Sequence, residues 1–430
     1  MAVVDRARSD HPGVQAQLHR LAQLSPGGDR LGLDRITRLL DRLGRPHAAL
    51  PPVFHVAGTN GKGSTCAFLR AALEAAGHRV HLFTSPHLVR FNERFRLAGK
   101  LIEDGALAQL LAEVLDASTG IEPSFFEVAT AAAFLAFSRE PADAVILEVG
   151  MGGRLDATNV IERPLVCGIA ALGIDHQHWL GSSLAEIAGE KAGIAKPGVP
   201  LVTLKYEPTA AARVRAVAAE RGANWLPCGS AWNSAANGSG IHYRDCRGEL
   251  LLPRPRLPGL HQHQNAALAV AMLRHQDRLL VPESALVVAM GAVEWPARLQ
   301  KLGPGPLIGS REVWLDGGHN ADAAQALAEA VRGMAPFTLI ASSLRIKDPR
   351  GLLAPFRGLA SQVHAVPIAE HDSFMPAELA DIATELGMPA NPFGGIEDAL
   401  AAAPAGRPVL IAGSLYLAGE VLALNGEAPA

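Results

Sequence analysis

"FHVAGTNGKGSTCAFL", residues 54–69, joins an apolar run to an alanine- and leucine-rich one through glycines, a lysine and two hydroxyls. The run 51–58 has the length and composition of a buried strand, and 64–77 those of a helix stopped by Gly77. The loop between them departs from the common phosphate-binding pattern G-x-x-x-x-G-K-[ST]. Gly58, Gly61 and Gly63 give G-x-x-G-K-G-S instead, with one glycine between the lysine and the hydroxyl. The physical case for a phosphate cradle survives that change. Glycines let backbone N–H groups approach a polyphosphate, and a helix beginning near Ser64 turns its positive end to the anion. Lys62 then neutralises phosphate charge, and Ser64 or Thr65 reaches Mg²⁺. An ordinary Gly/Asn turn is the competing explanation; the lysine and the paired hydroxyls weigh against it.

Moving outward, strand and helix patterns alternate. Strands are expected at 78–85, 143–150, 163–172 and 198–204, with helices near 104–117, at 125–140 and over 185–193. That alternation implies an α/β fold whose mostly parallel sheet is covered on both faces. Residues 228–258, rich in Gly, Ser, Asn and Pro, predict a hairpin or small β excursion, and 261–276 returns to helix. Pro and Gly interrupt the apolar periodicity at 294–306, after which alternation resumes. The expected organisation is a large ATPase-type domain over 1–296 and a smaller, Rossmann-like α/β domain over 297–430.

The 430 residues are 49% hydrophobic and 19% charged, with a net charge of −3, so the chain can bury a large interior and offers no global basic field for nucleic acid. Cys66, Cys167, Cys228 and Cys246 are scattered without a C-x-x-C pair, which argues against a disulfide framework or a zinc site. The start, MAVVDRARSD, has no apolar core of a leader, and no run approaches the roughly 20 apolar residues of a membrane span. A cytoplasmic protein is expected.

Several further motifs follow in order. TSPHLVRFNERFRLAGKLI spans 84–102, LEVGMGGRLDATNVI spans 147–161, GIDHQHWLG spans 173–181 and AEIAGEKAGIAKPG spans 185–198. Glu148 falls at the C-terminal end of a predicted parallel strand, where doubly wound sheets place ligands and where a carboxylate suits a hard cation. His176 by itself is more simply structural, because Mg²⁺ prefers oxygen, and Lys191 by itself is more simply a solvated cation. Phe125 and Phe126 suit core packing; Glu127, in the same apolar stretch, is the stronger pointer to a site.

With the loop GTNGKGS, these motifs resemble the Mur ligase superfamily, and its folylpolyglutamate synthase/dihydrofolate synthase branch in particular, over nearly the whole chain. The resemblance implies an ATP-dependent amide ligase in which the γ-phosphoryl of ATP passes to a carboxylate and L-glutamate attacks the acyl phosphate. By it, Thr59, Asn60, Gly61, Lys62, Gly63, Ser64 and Thr65 would hold ATP, with Lys62 also catalytic. Asn265, Arg298, Asp316 and His319 would add further ATP contacts. Ser85, Glu148, His176 and a carbamylated Lys191 would support one or two Mg²⁺ ions, His176 and Lys191 also serving catalysis. Ser124, Phe125, Phe126, Glu127, Leu155 and Asp156 would line the pterin site. The implied substrates are dihydropteroate, reduced folates and L-glutamate, and a monomer is expected. Carbamylation requires a neutral, desolvated amine. In the second domain the resemblance loosens, since Gly318 and Ala321 replace an alanine and a proline of D-x-A-H-N-P, and SSLRIKD matches only in part. A folylpolyglutamate synthase without the other activity, a peptidoglycan Mur ligase and a non-ligating nucleotide-gated binding protein are the rival readings. The residues before 51 leave little room for a UDP-binding domain, and 84–95 and GGRLDATN match the folate branch.

Overall fold

In the computed structural model, which describes residues 7–24, 31–238 and 240–429, the opening strand forms at Val53–Ala57 (β1) and is buried along its whole length. The first part of the amino-terminal stretch read above for a leader lies outside the described residues. Seven strands join β1 in one sheet: Val80–Phe83 (β2), Phe95–Leu97 (β3), Lys100–Leu101 (β4), Ala144–Glu148 (β5), Val166–Ile169 (β6), Pro200–Thr203 (β7) and Asn224–Pro227 (β8). Their order is β4-β3-β2-β5-β1-β6-β7-β8, parallel throughout except for β3 and β4. The chain moves to one side of β1 for β2 and β5 and to the other for β6 to β8. The crevice beyond the C-terminal end of β1 is therefore the topological switch point, where open α/β sheets bind ligands.

Ten helices accompany this sheet among the described residues: Pro12–Ala22 (α1), Asp34–Arg42 (α2), Lys62–Ala75 (α3), Asp104–Ala117 (α4), Phe125–Arg139 (α5), Gln177–Leu180 (α6), Leu184–Ala192 (α7), Pro208–Glu220 (α8), Leu260–Arg274 (α9) and Glu283–Ala292 (α10). On one face Val53, Phe83, Val145 and Leu147 pack with side chains of α1, α2, α4 and α5; Ala57, Cys167, Ile169 and Leu201 pack with α7 and α8. α3 begins at Lys62, two residues before the expected start at Ser64, because Gly61 with φ 84° ends the loop as its N-cap. α1, α2, α8 and α10 and the short antiparallel pair β3–β4 were not anticipated from the sequence. The β excursion is a three-stranded antiparallel sheet of Trp232–Asn237 (β9), Gly240–Asp245 (β10) and Gly248–Pro253 (β11).

The chain forms two compact units. Met1–Pro86, Phe91–Arg256 and His261–Glu294 make the first; His87–Arg90, Leu257–Leu260 and Trp295–Ala430 make the second. The second contains Gln300–Lys301 (β12), Val313–Leu315 (β13), Phe337–Ala341 (β14), Ala360–Ala365 (β15), Ala390–Pro392 (β16) and Val409–Ala412 (β17), ordered β12-β13-β17-β14-β15-β16. Only β12 is antiparallel to its neighbour. Ala321–Ala330 (α11), Pro349–Leu353 (α12) and Pro376–Glu385 (α13) close one apolar core, and Ile396–Ala401 (α14) and Leu415–Asn425 (α15) another. All four cysteines are free, and among the described residues no helix is long and apolar enough to cross a membrane.

Candidate active site

The loop after β1 is held from below. Thr59 N and Asn60 N both donate to Ala171 O, at 2.8 and 3.2 Å, and Thr59 Oγ1 pairs with the backbone of Gly173. The first bond inside α3 runs from Thr65 N to Gly61 O, so the amides of Lys62, Gly63 and Ser64 have no acceptor within the helix. These donors sit at the positive end of a 14-residue helix. Lys62 Nζ lies folded on the loop, 3.4 Å from Thr59 O. Gly61 tolerates no side chain, since a Cβ there would meet Asn265 Oδ1 at 2.2 Å. That close approach brings Asn265, from α9, against the loop.

Two details test whether this loop suits a magnesium–nucleotide complex. Ser64 Oγ and Thr65 Oγ1 are buried without a hydrogen-bond partner, although buried hydroxyls are nearly always satisfied. Both belong to residues almost fully covered, at 1% and 0% exposure. Their oxygens are the donor type a hard cation or a phosphate uses, so the residues present fit such a ligand.

Around the loop, Ser85 N donates to Glu148 Oε2 at 3.3 Å, which joins the ends of β2 and β5. Lys191, on α7, is buried and donates from Nζ to Gly58 O at 2.9 Å. Burial, followed by the charge of Lys62, lowers its pKa to about 7, against an opposing pull from Asp175 and Asp156. A lysine in that state has the neutral amine that carbamylation needs. His176 is exposed, with φ 51°, at the start of the four-residue α6.

The acceptor-site expectations fall on the N-terminus of α5 and the loop after β5. Ser124 and Glu127 form a capping box: Glu127 N donates to Ser124 Oγ at 3.2 Å, and Ser124 N to Glu127 Oε2 at 2.6 Å. Arg35 Nε also donates to Glu127 Oε2, while Glu127 Oε1 is buried without a partner. Glu127 thus owes its place in an apolar stretch to capping and to Arg35, a residue the sequence reading did not single out. Phe125 lies edge-on to Phe91, and Phe126 lies beside Phe83 and against Gly150, where a Cβ would come within 2.5 Å of the ring. Arg94, buried, stands over the rings of Phe91 and Phe125. Leu155 is half-buried, and Asp156 is 2% exposed, its carboxylate accepting from Met151 N and from both donors of Thr158.

In the second unit, Asp316 Oδ2 accepts from Leu299 N and Oδ1 from Gly318 N, at 2.8 and 2.7 Å. Arg298 Nη1 lies against Gly317, and His319 Nδ1 bonds Gly317 O. Arg298, Asp316 and His319 therefore gather at the end of β13.

A lysine- and hydroxyl-bearing loop at a helix N-terminus, on the switch point of a parallel sheet, defines a nucleotide-phosphate-binding α/β enzyme. The chain is 36% identical over 374 residues, 82% of its length and 84% of the relative's, to the dihydrofolate synthase/folylpolyglutamate synthase of Bacillus subtilis. Its fold matches Escherichia coli FolC in complex with DHPP and ADP with a TM-score of 0.87 at 32% identity, covering 96% of this chain and 97% of that one. A bifunctional folylpolyglutamate synthase/dihydrofolate synthase with Mn, AMPPNP and L-glutamate bound matches at a TM-score of 0.85 and 31% identity, over 97% and 99% of the two chains. No family model matches the chain. The chain belongs to the dihydrofolate synthase/folylpolyglutamate synthase family.

Proposed function

We propose that this protein is an ATP-dependent ligase that adds L-glutamate to 7,8-dihydropteroate and to reduced folates, releasing ADP and phosphate. The observation that carries the reading is the loop at 58–65: three helix-terminal amides, a lysine and two partnerless buried hydroxyls converge where a triphosphate would lie. Family membership supplies the acceptor and the amino acid. Making an amide from a carboxylate needs its oxygen turned into a leaving group. The γ-phosphoryl passes to the acceptor carboxylate, the α-amine of glutamate adds to the acyl phosphate, and phosphate leaves.

The residues do this by position and charge. Lys62 swings from Thr59 O to the β/γ-phosphates, and the amides of 62–64 hold the anion from the helix end. Asn265 contacts the adenine, and Arg298, Asp316 and His319 add further ATP contacts; the domains are 1–296, with the ATP loop and pterin site, and 297–430. Ser85, Glu148, His176 and a carbamylated Lys191 would hold Mg²⁺, which when bound offsets charge on the transferring phosphoryl group. Ser124, Phe125, Phe126, Glu127, Leu155 and Asp156 receive the pterin. The protein works as a cytoplasmic monomer.

The test supplies dihydropteroate and tetrahydrofolate separately, each with ATP, Mg²⁺ and labelled glutamate, and weighs the products. Glutamylated product from both acceptors is expected, with phosphate release requiring acceptor and glutamate together. Product from tetrahydrofolate alone would leave only the folylpolyglutamate synthase half, and phosphate release without either partner would overturn the reading.

A further inference from the structure

His55 stands at the middle of β1, fully buried, on a central strand where an apolar side chain would be expected. Its Nε2 lies 2.8 Å from Thr158 Oγ1, and Thr158 Oγ1 lies 2.5 Å from Asp156 Oδ1. Two motifs 103 residues apart are thereby joined by side chains: the strand that enters the phosphate loop and the G-G-R-L-D-A-T-N loop.

The direction of this chain of hydrogen bonds follows from its ends. An ionised Asp156 can only accept, so the Thr158 hydroxyl donates to it and takes its own hydrogen bond from His55 Nε2–H. His55 Nδ1 is then a bare lone pair, and it is buried without a partner. The reverse direction needs a protonated Asp156 and leaves an N–H stranded at Nδ1; buried orphan N–H groups are the rarer and costlier case. Burial and the nearby Lys196 lower the His55 pKa to about 3, so the ring is a neutral donor at any pH of interest. Oδ1 of Asp156 is filled by the amide and hydroxyl of Thr158, whereas Oδ2 accepts from Met151 N and keeps one lone pair; burial raises the Asp156 pKa, and these donors with the Gly150 backbone oppose that by favouring the carboxylate. A pterin ring offers a donor for that site, its ring N–H or its exocyclic amine.

We propose that His55 is a positioning residue for the acceptor site: through Thr158 it holds Asp156 as an oriented, ionised acceptor for the donor edge of the pterin. This rests on the reading of Asp156 as an acceptor-site residue. His55 touches neither substrate nor nucleotide; it acts by fixing which oxygen of Asp156 is committed and which is left to bind.

Two measurements test it. In the unmodified protein, ¹⁵N NMR of labelled histidine should find His55 neutral with its proton on Nε2; a proton on Nδ1 overturns the proposal without any variant being made. In steady-state kinetics, His55→Leu should raise KM for dihydropteroate about tenfold, the size of one lost charge-assisted hydrogen bond. KM for ATP should stay within about twofold of its starting value. His55→Gln, whose amide nitrogen replaces Nε2, should recover most of the loss, and Thr158→Val added to His55→Leu should cost little more because both cut one chain of bonds. Equal rises in both KM values, or no rescue by glutamine, overturn the role of His55 while leaving the acceptor reading intact. A wild-type protein that turns over no dihydropteroate overturns both.

Discussion

Lys62 and Lys191 show how two lysines close together take opposite tasks. Lys62 is half-buried on a loop edge, within reach of a phosphate; Lys191 is enclosed beside it, and burial pushes it toward neutrality. Lys62→Ala is expected to lower kcat by on the order of 10²–10³, as removal of one preorganised charge partner does, with the melting temperature little changed. For Lys191 the sign of the pH effect can be worked out. The amine keeps its proton up to about 10.5 in the unfolded chain and loses it near 7 in the fold, so the unfolded state binds more protons between those values. Stability therefore rises with pH across that window, and the full cost of the buried amine applies below it. Lys191→Met should melt higher than wild type at pH 7 in CO₂-free buffer and lose that pH slope, which thermal unfolding at several pH values reads directly. Bicarbonate, by converting the amine to a carbamate, should flatten the wild-type slope. At this scale the loop was legible, because glycines, lysine and hydroxyls stand in one short run. The His55–Thr158–Asp156 chain was not, since nothing in sequence spacing reports a contact across 103 positions.

Elements make their own demands. α3 starts at Lys62 because a glycine in left-handed conformation precedes it, and a glycine cap has no side chain to mark the boundary in sequence. Gly61→Ala combines an unfavourable φ with a clash against Asn265 Oδ1, and should weaken ATP binding by more than about tenfold in calorimetry while the rest of the fold persists. The β9–β11 sheet is tied to α9 by Arg274, whose Nε and Nη2 each donate at 2.6 Å to Asp245, a side chain with no exposure. Arg274→Met leaves that carboxylate only the Tyr243 hydroxyl and the Arg247 amide as donors and should cost about 2–3 kcal/mol in denaturant unfolding, most of it recovered when Asp245→Leu is added. The sequence showed this region to be β structure but not its anchor, because the partners lie 29 residues apart on different elements. The missed elements have equally plain causes. α2 lacks a side-chain cap, α10 follows a proline with no capping hydroxyl, and β3 and β4 are three and two residues long, too short for alternation to register.

For the whole molecule, alternation of strand and helix was enough to anticipate two α/β sheets. It did not reveal that His87–Arg90 and Leu257–Leu260 belong with the second unit, because short connecting segments carry no periodicity. The chemistry proposed for this molecule has one central claim: ATP is spent to turn the acceptor's carboxylate oxygen into phosphate. That claim is tested by labelling the acceptor carboxylate with ¹⁸O and weighing the inorganic phosphate released during glutamylation. The account predicts that each phosphate released carries an oxygen from the acceptor; phosphate that carries only solvent oxygen would contradict it.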